Sequence, residues 1–206
     1  MILTMTVLLT GFAPFGGMKK NPSGEIARLF NGKEINGERI IGKELPVSYR
    51  RVREVLEKLI DEVNPSLYLG IGLAPRSTCI RIEVIALNIV YSERPDEDGV
   101  RQTDVSYIYE DGDLAYITTI PAKRIVNELR RSGIPASLSF SAGTYLCNYA
   151  FYIAAHLLKR KGNGRYGFIH IPQASEYVVS EVNTPSLPFN VLVKAIEKVL
   201  YVILGS

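Results

Sequence analysis

Residues 49–72 read YRRVREVLEKLIDEVNPSLYLGIG, and they set the fold class. From Tyr49 to Val63 the apolar residues fall at Val52, Val55, Leu56, Leu59, Ile60 and Val63, the three-and-four spacing of a helix with one buried stripe. Asn64 and Pro65 close that helix, and LYLGIG, residues 67–72, follows as a strand. Upstream lie the strand TVLLTG (6–11), a helix opened by Asn21 and Pro22, and the strand RIIGKELPV (39–47). Downstream, TCIRIEVIALNIVY (78–91) reads as one further extended run, and residues 92–113 are polar and turn-rich. Pro121 suits the first turn of a helix stopping near Gly133, before the strand PASLS (135–139). A helix from about Thr144 to Lys159, the strand YGFIHI (166–171) and a helix carrying Phe189, Leu192, Val193, Ile196, Val199, Leu200 and Ile203 complete the chain. Strand and helix alternate almost throughout. This order predicts a single-domain α/β three-layer sandwich over residues 1–206, with a mostly parallel central sheet and some antiparallel pairing among the runs at 67–91.

Composition narrows the function. The chain carries 24 basic and 21 acidic residues, a net charge of +3, dispersed without a basic block of five or more, which argues against nucleic acid as a partner. The apolar opening MILTMTVLLTGF is far shorter than the roughly 20 residues of a membrane span and reads as a buried first strand. Two cysteines, Cys79 and Cys147, are too few for a disulfide framework, so both are expected as free thiols in a reducing, cytoplasmic setting.

In α/β sheets, functional residues gather where strands end and helices begin. Cys147 follows Ser141, Ala142 and Gly143 after a predicted strand and falls in the first turn of the next helix, where free amides and the helix dipole favour a thiolate. It reads as a nucleophile or, as free cysteines often are, as a small buried hydrophobe. A cysteine nucleophile needs an imidazole, and only His156 and His170 are available. His156 is nine residues further along the same helix, on the opposite face and roughly 13 Å away by helical rise. His170, at the end of YGFIHI, remains as the base, with a hydrogen-bonded core histidine as the competing reading. Glu83 is a lone carboxylate in an apolar run and suits the role of orienting an imidazole. Strand alternation puts it on one face with Cys79 and Arg81, so an Arg81–Glu83 ion pair on a solvated face is the alternative.

Two glycine-rich segments are near misses. TGFAPFGGM has the glycine spacing of a phosphate loop, but Gly17 and Met18 stand where Lys and Ser or Thr are required. GIGLAP starts like a dinucleotide fingerprint, but Pro75 replaces its third glycine.

TGFAPFGG with KNPS, LPVSYRR, GLAP with Glu83 and Asn88, SAGTYLCN and GFIHIP together resemble, in order, the motifs of the pyrrolidone carboxyl peptidase family, also called pyroglutamyl peptidase type I. The resemblance implies Cys147 as nucleophile, His170 as general base and acid, and Glu83 as the residue orienting His170. It further implies apolar walls from Phe12 and Phe15, with Val47, Leu73, Tyr145 and Leu146 nearby, around a pyroglutamyl ring whose lactam bonds to backbone groups. Peptides with N-terminal pyroglutamate are the implied partners, with no metal, no cofactor and a homotetrameric assembly. The sequence departs from the family pattern at Val84, at Arg76–Ser77 and at Glu93, where arginine is usual; Arg94 follows at once and is assigned the positive charge near the oxyanion. These departures leave a second reading, a homologue that binds pyroglutamyl peptides or free pyroglutamate with little turnover.

Overall fold

The computed structural model describes residues 6–162 and 164–205; the part of the expected first strand before Thr6 lies outside the described residues. The chain runs β1 (Thr6–Phe12), α1 (Pro22–Phe30), β2 (Glu34–Ile35), β3 (Glu38–Leu45), α2 (Tyr49–Val63), β4 (Leu67–Leu73), β5 (Ile80–Glu83), β6 (Ile85–Leu87), β7 (Val90–Ser92), β8 (Gln102–Ser106), β9 (Ala115–Ile117), α3 (Ala122–Arg131), β10 (Ala136–Ser139), α4 (Leu146–Lys161), β11 (Arg165–Ile171), β12 (Gln173–Ala174), β13 (Ser186–Leu187) and α5 (Phe189–Leu204).

The central sheet has the order β10-β5-β11-β4-β1-β3-β2. Its middle, β11-β4-β1-β3, is parallel. Its antiparallel pairs are β5 with β11 and β2 with β3. The mixed sheet is therefore as expected, although the antiparallel partner of β5 is β11 rather than a neighbour in sequence.

Strand alternation sorts the side chains into two cores. Val7 and Leu9 of β1, and Leu67, Leu69 and Ile71 of β4, face α1, α3 and α5. Leu8 and Tyr68 face α2 and α4 instead, meeting Val52, Leu56, Ile60 and Phe151. Burying each such side chain stabilises the fold by about 1.5–3 kcal/mol, and so locks the register that fixes which residues reach each face. The helix boundaries follow local chemistry. Asn21 caps α1 by accepting from the Ser23 amide, Ser48 caps α2 through the Arg51 amide, and Asn64 ends α2 in the left-handed region at φ +44°. Pro121 is the N-cap of α3 rather than part of its first turn.

The run 78–91 is not one strand. It divides into β5, β6 and β7, which belong to three different sheets. At the break, the Val84 amide still donates to Ser139 O, but its carbonyl accepts from Thr118 N, so the chain leaves the central sheet. Asn148 of α4 then holds the departing segment: its Oδ1 accepts from Leu87 N, and its Nδ2 donates to Leu87 O and Ile89 O. Among the described residues, no helix is long and apolar enough to cross a membrane.

Candidate active site

Three elements meet at one edge of the sheet. Near the end of β11, His170 lies on the face that also carries Phe168, and its register places it beside Gly72 of β4 on one side and Arg81 of β5 on the other. Phe168 lies opposite Glu83, so Glu83 reaches His170 diagonally, and its Oε1 is 2.7 Å from His170 Nδ1. A carboxylate only accepts, so Nδ1 carries the proton and Nε2 is left facing the pocket. Glu83 is fully buried, not on a solvated face. Arg81 Nη2 also lies 3.1 Å from the same Oε1, so the expected ion pair is present, but with its carboxylate buried and not on a solvated face. Glu83 Oε2 is buried with no partner among the described residues, which leaves His170 and Arg81 to compensate the charge.

Cys147 is the second residue of α4, over the end of β4. A Cβ at Gly72 would come within 2.7 Å of Cys147 Sγ and 3.0 Å of His170 Cδ2, so sulfur and imidazole converge on the space that this glycine leaves open. Gly70 likewise makes room for Phe168 and Tyr68. Burial by itself would draw His170 down. The charge and hydrogen bond of Cys147, followed by those of Glu83, outweigh it and push the imidazole up to about 9. Tyr145 precedes α4 without a side-chain cap, and the first helical bond is Tyr149 N to Tyr145 O, leaving the Leu146, Cys147 and Asn148 amides without helical acceptors.

Cys147 and His170 open into a pocket of about 210 Å³. Its lining includes all the expected wall residues, Phe12, Phe15, Val47, Leu73, Tyr145 and Leu146, together with Arg94. That volume is below the roughly 300 Å³ at which drug-sized sites begin, so it suits one small ring. Arg94 crosses the Phe15 ring with its guanidinium carbon 4.8 Å from the centroid. Its backbone is fixed by Ser92, whose Oγ accepts from Arg94 N and donates to Arg94 O. Arg76, by contrast, is exposed and outside the pocket lining.

Residues 5–205 match the model of the pyroglutamyl peptidase family. The chain belongs to that family. The pyrrolidone-carboxylate peptidase of Thermococcus litoralis is 43% identical over 197 residues, spanning 93% of this chain and 89% of the relative. That of Bacillus cytotoxicus is 42% identical over 200 residues, spanning 97% and 93%. Among solved structures, the pyrrolidone carboxyl peptidase of Thermococcus litoralis superposes with a TM-score of 0.93 at 42% identity, covering 98% of this chain and 94% of that one. A mutant pyrrolidone carboxyl peptidase from P. furiosus gives 0.94 at 37% identity, covering 98% and 99%.

Within this pyroglutamyl peptidase fold, three further pocket residues escaped the sequence reading: Asn21, Pro75 and Ala142. Asn21 looks like a helix cap in sequence, and its amide is indeed committed to Ser23 and to Ala13 O. Pro75 and Ala142 sit inside GLAP and SAGTYLCN, so motif membership was the signal that pointed to them. The loop carrying Arg94 is anchored by Asp96, a buried carboxylate accepting from the Tyr49, Asp98 and Val100 amides, and nothing in its polar sequence marks that residue out. His156 is buried away from the site, with Nδ1 2.9 Å from Tyr116 OH. Among the described residues there is no group of three or more His, Cys, Asp or Glu that could hold a metal ion.

Proposed function

We propose that this chain is a cysteine exopeptidase that removes the pyroglutamyl residue from the N-terminus of peptides, with Cys147 as nucleophile, His170 as acid and base, and Glu83 orienting His170. The convergence of Glu83, His170 and Cys147 on the open space at Gly72 carries this reading. The pocket walls support the substrate class. Phe12, Phe15, Val47, Leu73 and Leu146 suit an uncharged lactam ring, whereas a free α-ammonium would need a carboxylate that the lining does not supply.

In the reaction, the Cys147 thiolate adds to the pyroglutamyl carbonyl carbon. The oxyanion that forms faces the Cys147 amide at the start of α4, with the Arg94 guanidinium at the pocket mouth as a second positive group. Collapse breaks the C–N bond as the imidazolium passes its Nε2 proton to the leaving amine, giving a thioester and a neutral imidazole. The imidazole then takes a proton from water as the hydroxyl attacks the thioester, releasing pyroglutamate and restoring the thiolate–imidazolium pair. Glu83 holds the ring and its Nδ1 proton throughout.

A binding-only homologue is less well supported, because mere capture of an uncharged ring gives no reason to bury the Glu83 carboxylate against an imidazole. A homotetramer in the cytoplasm, implied by the family resemblance, is proposed with this function. Hydrolysis of a pyroglutamyl arylamide, beside a prolyl arylamide and under reducing conditions, tests the activity. Release from the first alone is expected; no release across pH and temperature would leave the binding reading.

A further inference from the structure

A second groove, of about 620 Å³, lies between residues 16–20 and residues 173–181. Its walls continue those of the ring pocket along the chain: Phe15 and Asn21 line the pocket, and Gly16 to Lys20 line the groove between them in sequence. On the opposite wall His170 lines the pocket, and Gln173, three residues on, lines the groove. His170 gives its proton to the leaving amine, and the chain just beyond it, from Gln173 to Glu181, forms this wall of the groove.

The groove's polar groups are unequally engaged. Glu176 accepts from the Phe189 amide at the start of α5, at 2.9 and 3.1 Å. Glu181 accepts from Thr184, and Tyr177 donates to Glu25; both Glu176 and Glu181 keep their charge beside these neutral donors, on the wall opposite Lys19 and Lys20. Among the described residues, Lys20 rests only over the Tyr177 ring, 5.1 Å from its centroid, and Lys19 has no ion pair or hydrogen bond. Gln173 is 6% exposed; among the described residues its Oε1 is buried without a partner, and its Nε2 has only the Met18 sulfur, a weak acceptor, at 3.5 Å. A buried amide so poorly satisfied gains from a peptide group laid beside it.

We infer that this groove binds the first two residues after pyroglutamate, with Gln173 bonding to their backbone and Lys19 and Lys20 favouring acidic side chains there. The inference rests on the proposed peptidase function and adds a preference within it. Exposed ion pairs of this kind change an equilibrium by about 1.4- to fivefold each, and two of them act together here.

The test measures kcat/KM for amidated pyroglutamyl tripeptides with Glu, Gln or Lys at either position after pyroglutamate. It uses the full chain and a Lys19→Gln/Lys20→Gln variant whose fold is checked by circular dichroism. The expected result is a preference for Glu over Gln, and for Gln over Lys, by about threefold or more at one or both positions. The preference should shrink as ionic strength rises and vanish in the double variant. Equal rates for Glu and Gln, a preference for Lys, or a Glu preference that survives both substitutions would overturn the inference. Failure of the peptidase reading is a separate result, since the pyroglutamyl arylamide would then go uncleaved by the unsubstituted chain.

Discussion

His170 Nδ1 lies 2.7 Å from Glu83 Oε1 across two antiparallel strands, although the register places Arg81, not Glu83, directly opposite His170. The diagonal contact fixes the imidazole and, against the opposing effect of burial and after the larger contribution of Cys147, helps to raise it to about 9, so the imidazolium is lost as pH rises through that value. In Glu83→Gln the raising contribution of the carboxylate is gone. The alkaline limb of the kcat–pH profile should move to lower pH, and kcat should fall on the order of 10² or more with a much smaller rise in KM. Pre-steady-state and steady-state kinetics across pH check this; an unmoved alkaline limb would count against the triad.

Cys147→Ser should remove turnover and leave the fold intact, because the hydroxyl is close in size but far harder to ionise. Thiol alkylation should inactivate, with free pyroglutamate protecting. Cys79, beside Ser137 on the β5 side of the sheet, should be dispensable. Mass spectrometry locating the inactivating label on Cys79 would sink the assignment.

Gly72→Ala places a methyl group against Cys147 Sγ and His170 Cδ2, at 2.7 and 3.0 Å unless they move. Displacement of reacting groups by about 1 Å can cost on the order of 10² in rate. We expect a loss of that size in kcat with secondary structure retained by circular dichroism. A fully active Gly72→Ala would show that sulfur and imidazole do not need this space.

Arg94→Ala should lower kcat by on the order of 10² to 10³ if the guanidinium serves the oxyanion. Arg76→Ala and Arg101→Ala are the comparisons, as neither lines the pocket. A loss below about threefold, far under the oxyanion range, would leave the α4 amides as the only donors.

His156 should matter for stability and not for turnover. Burial, followed by the Arg160 charge, lowers it below its ordinary 6.5. Because the unfolded chain then binds the proton more readily, this contribution to stability is complete above about pH 6.5 and is lost as pH falls below it toward the folded value. Thermal unfolding from pH 7.5 to 5, as conditions of about that span, should show a decline that is shallower in His156→Gln, while kcat at neutral pH stays near that of the unsubstituted chain.

Much of this was legible from local patterns. The α2 stripe, the Asn21 cap and the strand–helix alternation are written in short-range spacing, which is what local backbone preference obeys. Cys147 and His170 were legible by position and scarcity, since a first-turn cysteine and one reachable imidazole leave few arrangements. The run 78–91 misled because β propensity is continuous across it. What divides it are bonds to distant segments: Val84 O accepts from Thr118 N at the break after β5, and Asn148, about 60 residues away, holds Leu87 and Ile89, so neither leaves a trace in the run itself.

The sequence by itself determined the element types, the residues able to do thiol chemistry and, through ordered motifs, the family. Only the tertiary structure decided that β5 inserts antiparallel beside β11, so that Glu83 and Arg81 share His170's neighbourhood. It also gave Gly72 its role: read in sequence as part of a failed dinucleotide motif, it is the open space onto which sulfur and imidazole converge. Likewise it brought Arg94, from a polar loop, across Phe15 into the pocket. The physical reason is common to all three. Strand order and loop docking are set by burial and hydrogen bonding between segments far apart in the chain, and those energies exist only once the segments have met.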